Sequence, residues 1–271
     1  MKFWDSYKDW ETAEKAWNQA KTTAEKKSPL KLLKTLPEMP GMTSETAKNL
    51  KWKSLKWILK KDQGFKILKK ALKHPFRHLS AYLKSVFSNQ SFLKKGDFYL
   101  YGIKSEEEFE KLLTKSNTLL ILGFSYCHKP FECPSGRFTD ACVHDLANPV
   151  CQQCFIGKCV HSIPHAATLP VYIPTVHYIG EKIFEYKEAY PDKEIIFLIT
   201  ACEMTLTMFA DWGNMAGIKG IGVRLAGRIC NTMKAFELSE EGIKPGLTLV
   251  LHESQEMMLK WIRLRRCFEL D

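Results

Sequence analysis

Apolar positions follow two regimes along the chain. Over the first 95 residues they recur every three or four positions. Trp10, Ala13, Trp17, Ala20 and Ala24 form one stripe, which predicts an amphipathic helix across residues 4–27 that stops before Pro29. A connector over 37–41 holds Pro37, Pro40 and Gly41. Leu50–Lys61 then interleaves Trp52, Leu55, Trp57, Ile58 and Leu59 with lysine, and Phe65, Leu68, Leu72, Phe76, Leu79, Leu83 and Phe87 keep helical spacing across a bend expected at Pro75. From Gly96 onward, short apolar runs of strand length alternate with helical stretches. Strands are expected at Asp97–Ile103, Thr118–Phe124, Leu169–Pro174, Glu194–Thr200, Ile218–Leu225 and Leu247–Leu251. Helices are expected after Ser105, whose acids at 106–108 fill a first turn, from Thr175 to Ala189, over Met204–Ala216 with Gly217 as C-cap, and over Glu253–Arg265. This alternation predicts an α/β fold over residues 96–271, an open, mostly parallel sheet with helices on both faces. An all-α basic region, residues 1–95, precedes it.

Composition fits that picture and then divides it. With 271 residues and 45% hydrophobic content the chain can bury a core, and no run approaches the roughly 18 apolar residues of a membrane-spanning helix. Met1–Trp10 lacks the basic flank and apolar block of a secretory signal, so the expected location is the cytoplasm. The net charge of +10 is uneven: residues 1–100 carry 22 Lys or Arg against 9 Asp or Glu, and the remainder carries 18 against 21. Residues 48–95 hold 14 basic side chains against the single acid Asp62. Cationic helices with Trp and Phe on one side suit an anionic membrane surface. The alternatives are a nucleic-acid backbone, or packing of the apolar side on the second region. Arg77 is the one Arg beside thirteen lysines, which favours the membrane.

The chemistry concentrates between Cys127 and His165. These 39 residues contain six of the nine cysteines, Cys127, Cys133, Cys142, Cys151, Cys154 and Cys159, and four of the eight histidines, His128, His144, His161 and His165. An odd cysteine count without a secretory signal argues against a disulfide framework and for metal ligation. Cys151, Cys154 and Cys159 form a CxxCxxxxC run that expects three sulfurs at one iron–sulfur or zinc centre. Cys127, Cys202 and Cys230 each follow a predicted parallel strand, at the edge where open α/β sheets bind ligands. Eight cysteines therefore stand as candidate metal ligands, and Glu203, Arg228, Asn231 and Thr232, beside the strand-end cysteines, as candidate catalytic or substrate contacts. A nucleotide cradle finds little support, since Gly217, Gly220, Gly222 and Gly227 match neither GxGxxG nor a Walker loop.

The order strand-Cys127, Cys133-Pro134, Cys151xxCys154xxxxCys159, Ala201-Cys202-Glu203 and Arg228-Ile229-Cys230-Asn231-Thr232, spanning 118–236, resembles the cysteine-rich family known as domain of unknown function 116. The resemblance implies a bound metal, iron–sulfur in the first place, with Cys127, Cys133, Cys151, Cys154, Cys159, Cys202 and Cys230 as ligands. Cys142 lies outside that pattern, and Cys267 is a bystander. Members of the family often carry an amino-terminal membrane segment, where this chain has amphipathic cationic helices. Seven or eight sulfurs exceed the four of a closed zinc site and suit one or two [4Fe-4S] clusters. The expected protein is an iron–sulfur enzyme of redox or sulfur-transfer type, served by an electron donor and held peripherally at the inner membrane surface through residues 48–95. The alternative is a zinc-stabilised nucleic-acid-binding protein.

Overall fold

The computed structural model describes residues 2–31, 41–73, 75–87 and 91–270. Of the expected connector over 37–41, Gly41 alone falls among them. One sheet organises the chain. Its strands are β1 (Leu93–Lys95), β2 (Phe98–Tyr101), β3 (Thr118–Ser125), β4 (Thr168–Ile173), β5 (Glu194–Ala201) and β6 (Lys219–Arg224), in the order β1-β2-β6-β5-β3-β4. β4, β3, β5 and β6 run parallel, and β2 and β1 add an antiparallel edge. Strand β3 is buried at all but its last residue, as a strand covered on both faces must be. Alternation sends Leu120, Leu122 and Phe124 into one core and Leu119 and Ile121 into the other.

The helices form two layers on the sheet and a third outside one of them. They are α1 (Trp10–Lys27), α2 (Ser44–Ala47), α3 (Leu50–Lys61), α4 (Lys66–Ala71), α5 (Pro75–Phe87), α6 (Glu106–Leu113), α7 (Pro149–Gln153), α8 (Phe155–Ser162), α9 (Val176–Ala189), α10 (Glu203–Ala216), α11 (Met233–Ser239) and α12 (His252–Leu270). On one face Trp10 and Trp17 of α1 join Phe109 of α6, Val160 of α8 and Trp261 of α12 in a single core. On the other, Ile179 and Ile183 of α9 and Phe209 of α10 cover the sheet. Beyond these, Leu50 and Trp57 of α3 and Ile67 of α4 are buried against Phe184, Met204, Met208 and Phe236. The N-terminal helices thus share cores with the α/β body, and the sheet begins at Leu93, just ahead of the boundary expected at 95/96.

Local signals place the elements. Ser105 accepts a hydrogen bond from the Glu108 amide at 3.3 Å, and Gly217 ends α10 with φ +65° in the left-handed region. The late strand expected over Leu247–Leu251 is reduced to β8 (Thr248–Leu249), which pairs with β7 (Ala226–Gly227) as a separate ribbon. Among the described residues no helix is long and apolar enough to cross a membrane.

Candidate functional site

The strand order fixes where a site can form. From β3 the chain crosses to β4 at one edge, then returns through α9 to β5 on the other side of β3, so connections leave the carboxyl ends of β3 and β5 toward opposite faces. Such a switch point leaves a crevice. Cys127 lies in the short 3-10 turn Tyr126–His128 after β3, Cys202 is the N-cap of α10 after β5, and Cys230 follows β6 and β7. All three line one cleft, together with Ser125, Thr175, Thr205 and Glu240.

Within the cleft the thiols are not equivalent. Lys244 donates from Nζ to Cys230 Sγ at 3.2 Å, and Cys202 lies 3.2 Å from Thr205 Oγ1. Cys202 hydrogen-bonds Cys230, which with the Lys244 ammonium holds Cys230 below the ordinary thiol range against the cost of burial. The same contact keeps Cys202 protonated, well above that range. Burial raises Cys127. The Glu240 carboxyl is pushed up to about 8 by burial, even though it accepts from the Val176 amide at 2.9 Å. The arrangement offers one thiolate, one thiol beside it as proton donor, and a buried acid.

The second group of thiols belongs to the cysteine loop, whose centre is Lys129. Its side chain is 1% exposed, and Nζ donates to the carbonyls of Thr139 and Ala141 at 2.9 and 2.7 Å, folding the loop around one ammonium. A buried ammonium costs several kcal/mol unless compensated, at about that order. Burial lowers Lys129, while Cys133, Cys142, Cys154 and Asp140 oppose the shift by their proximity. Burial, with Cys142 and Cys133 adding to it, raises both Cys151, to about 11, and Cys154, to about 12. Asn148 caps α7, Cys154 caps α8, and the Ile156 and Gly157 amides point at the Cys154 sulfur. A Cβ on Gly157 would lie 2.4 Å from the Cys151 carbonyl, so glycine is what lets α8 pack this closely on α7. The buried Tyr172 hydroxyl has no nitrogen or oxygen partner and hydrogen-bonds the Cys142 sulfur. Arg137 ties loop to cleft by donating to the carbonyls of Lys129, Lys244, Gly246 and Cys127.

Several expected positions are placed otherwise. Cys159 sits on α8 with no exposure, packed in the main core near Cys154, and among the described residues Cys151, Cys154 and Cys159 do not form a group that could hold one metal ion. Glu203 faces away from the cleft. It meets Lys94 at 2.8 Å, the Tyr99 hydroxyl at 3.1 Å and the Met42 amide at 3.2 Å, at the β1–β2 edge. Arg228 is exposed and covers Gly246, Asn231 accepts from the Thr43 amide through its carbonyl, and Thr232 caps α11. None of these four lines the thiol cleft. The histidines are ties: His161 accepts from the Phe3 amide and contacts the His144 carbonyl, and His165 pairs with Asp5 at 2.7 Å. Cys267 is exposed on α12. Sequence reasoning missed Lys129, Glu240 and Lys244, whose roles depend on chain crossings that leave no local pattern.

Among the described residues no group of three or more Cys, His, Asp or Glu side chains is placed so that it could hold one metal ion. Cys133, Cys142 and Cys154 lie near the buried Lys129 ammonium, whose positive charge favours negative charge on sulfur. No protein-family model, curated protein or solved structure matches the chain.

Proposed function

We propose that the chain is an iron–sulfur protein of redox or sulfur-transfer type, attached peripherally to an anionic membrane surface. Its cluster ligands are drawn from Cys133, Cys142, Cys151 and Cys154, which would have to close together around a cluster. The observation that carries this reading is the proximity of Cys133, Cys142 and Cys154 to buried Lys129, where thiolate charge would add to the carbonyls that already accept from the ammonium. A bound cluster would supply electrons at the switch-point edge of the sheet. The chain's own residues do the rest: Lys129 and Tyr172 balance the sulfur charge, and Arg137 fixes the loop against the cleft.

In the cleft, Cys230 is the nucleophile and Cys202 the resolving thiol. Attack of the Cys230 thiolate on a disulfide or sulfane sulfur expels one thiolate. Cys202 gives up its proton to the departing group and attacks the Cys230 sulfur of the resulting mixed disulfide, or of the persulfide where the substrate is a sulfane, expelling the second thiolate or hydrosulfide and leaving a Cys202–Cys230 disulfide, so the two electrons the substrate gains come from the pair. Membrane attachment is supported by the large apolar side chains between Trp52 and Phe87, nine of which are exposed among the described residues of α3–α5 and their connections. Iron and acid-labile sulfide measured after anaerobic purification test the proposal. Iron is expected in the native protein, lost in Cys154→Ser and kept in Cys159→Ser and Cys202→Ser. A colourless protein holding stoichiometric zinc would overturn it in favour of the structural-zinc alternative.

A further inference from the structure

Helices α3–α5 enclose a cavity of about 350 Å³ that opens at the molecular surface. Its walls are Leu55, Leu59, Leu68, Leu72 and Leu79, and Met215 of α10 lies at its floor. Two of the polar residues that reach it are turned to backbone: the Asp62 carboxylate accepts from the Ile67 and Leu68 amides at 3.2 and 3.0 Å, and His78 Nδ1 meets the Met215 carbonyl at 3.0 Å; Tyr82 is the third at the wall. The space they leave is apolar, within the range of roughly 300–1,000 Å³ typical of small-molecule sites. On the same helices and the turn after α3, Trp52, Phe65, Phe76 and Phe87 are exposed, Phe76 at 88%. An apolar patch of this kind on a soluble surface marks a contact with something apolar.

Charge identifies that contact. Lys61, Lys66, Lys70 and Lys73 pair with Glu241, Glu181, Glu185 and Glu188, which ties the helices to the body. Lys56, Lys60, Lys69 and Lys84 are exposed, with no acidic partner among the described residues. Trp52, Lys56 and Leu59 follow one another at helical spacing, so cation and apolar group share one side of α3. The one acid of residues 48–95, Asp62, is buried as a cap. A space lined mostly by leucine, on helices that carry four exposed lysines without an acidic partner among the described residues, complements a molecule with one anionic head and a long apolar tail.

We infer that this cavity takes one acyl chain of an anionic phospholipid drawn from the bilayer, with the headgroup on the exposed lysines. The inference rests on the surface attachment proposed above and goes further: the lipid enters the protein, and the protein does not merely lie on the membrane. Vesicles of phosphatidylglycerol and phosphatidylcholine, containing a phosphatidylglycerol with a photoactivatable diazirine near the end of one acyl chain, provide the test. Cosedimentation reports attachment, and mass-spectrometric mapping of cross-links reports depth. Cross-links at Met215 are expected, falling at least about fivefold in Leu55→Trp, which fills the cavity from a wall position outside the exposed apolar set, while cosedimentation stays unchanged. Cosedimentation with cross-links confined to Trp52, Phe65, Phe76 and Phe87 overturns the acyl-chain site and leaves surface attachment standing. Absence of cosedimentation overturns both, and tight RNA binding by the same protein would then point to the nucleic-acid alternative.

Discussion

Glu240 shows how a single buried residue sets the chemistry of the cleft. Its carboxyl is raised from the ordinary 4.5 to about 8 because burial disfavours its charge, with the nearby Cys230 thiolate adding to the shift. Between those values the folded chain holds a proton that the unfolded chain releases. Native protons then exceed unfolded ones, and stability falls as pH rises from about 4.5 to about 8. Glu240→Gln keeps an oxygen for the Val176 amide and removes the titration. Chemical denaturation across this range should show the variant gaining on the native protein as pH rises, with little difference near the acid end. Parallel curves would mean that Glu240 is charged in the fold. Neither Glu240 nor Lys244 was visible in the sequence, because each is an ordinary polar residue of a late segment until α11 and the following turn cross the ends of β3 and β5.

At the scale of elements, the sequence was most legible where one periodicity ran long enough to be read. The stripe of Trp10, Ala13 and Trp17 became α1 with those residues buried, and the apolar run 118–124 became the central strand. The cysteine loop was less legible. Helices α7 and α8 are five and eight residues long, too short for a periodic stripe, although Asn148-Pro149 is a cap followed by proline at the first helical position. The strand-end cysteines were placed correctly by topology, whereas Cys159 was misplaced by spacing alone, since a helix between Cys154 and Cys159 turns the second sulfur into the core. The contact of α7 with α8 is the element-level device of the site, and Gly157 is its weakest point. In Gly157→Ala the new methyl meets the Cys151 carbonyl, a rigid backbone atom, so the helices must part. Such overpacking costs about 1–3 kcal/mol. The expected outcome is a folded protein that loses iron along with Cys154→Ser, read by circular dichroism and iron content together. Retained iron with a lowered melting temperature would show that iron binding does not need α8 packed this closely on α7.

Over the whole molecule, two kinds of interaction hold α3–α5, and they respond oppositely to salt. Four lysine–glutamate pairs link these helices to α9 and to Glu241, and most of their side chains are well exposed. Exposed pairs contribute about 0–1 kcal/mol each and weaken as the Debye length shrinks to about 3 Å at 1 M salt. Leu50, Trp57 and Ile67 are each 5% exposed in the core they share with α9, α10 and α11. Burial of such side chains stabilises by about 1.5–3 kcal/mol apiece. The apolar contribution therefore wins, and docking should survive salt that abolishes vesicle binding, because the latter depends on the exposed lysines. Hydrogen exchange provides the measurement. Amides of α3 should remain protected at about 1 M salt and lose protection in Trp57→Ala, whose ring packs edge-on against Phe236 at 5.8 Å and whose removal costs about 3–5 kcal/mol. Were salt alone to release α3, the lysine–glutamate pairs would be the principal attachment, and the loss of vesicle binding at high salt would report undocking of the helices instead of screening of the membrane surface.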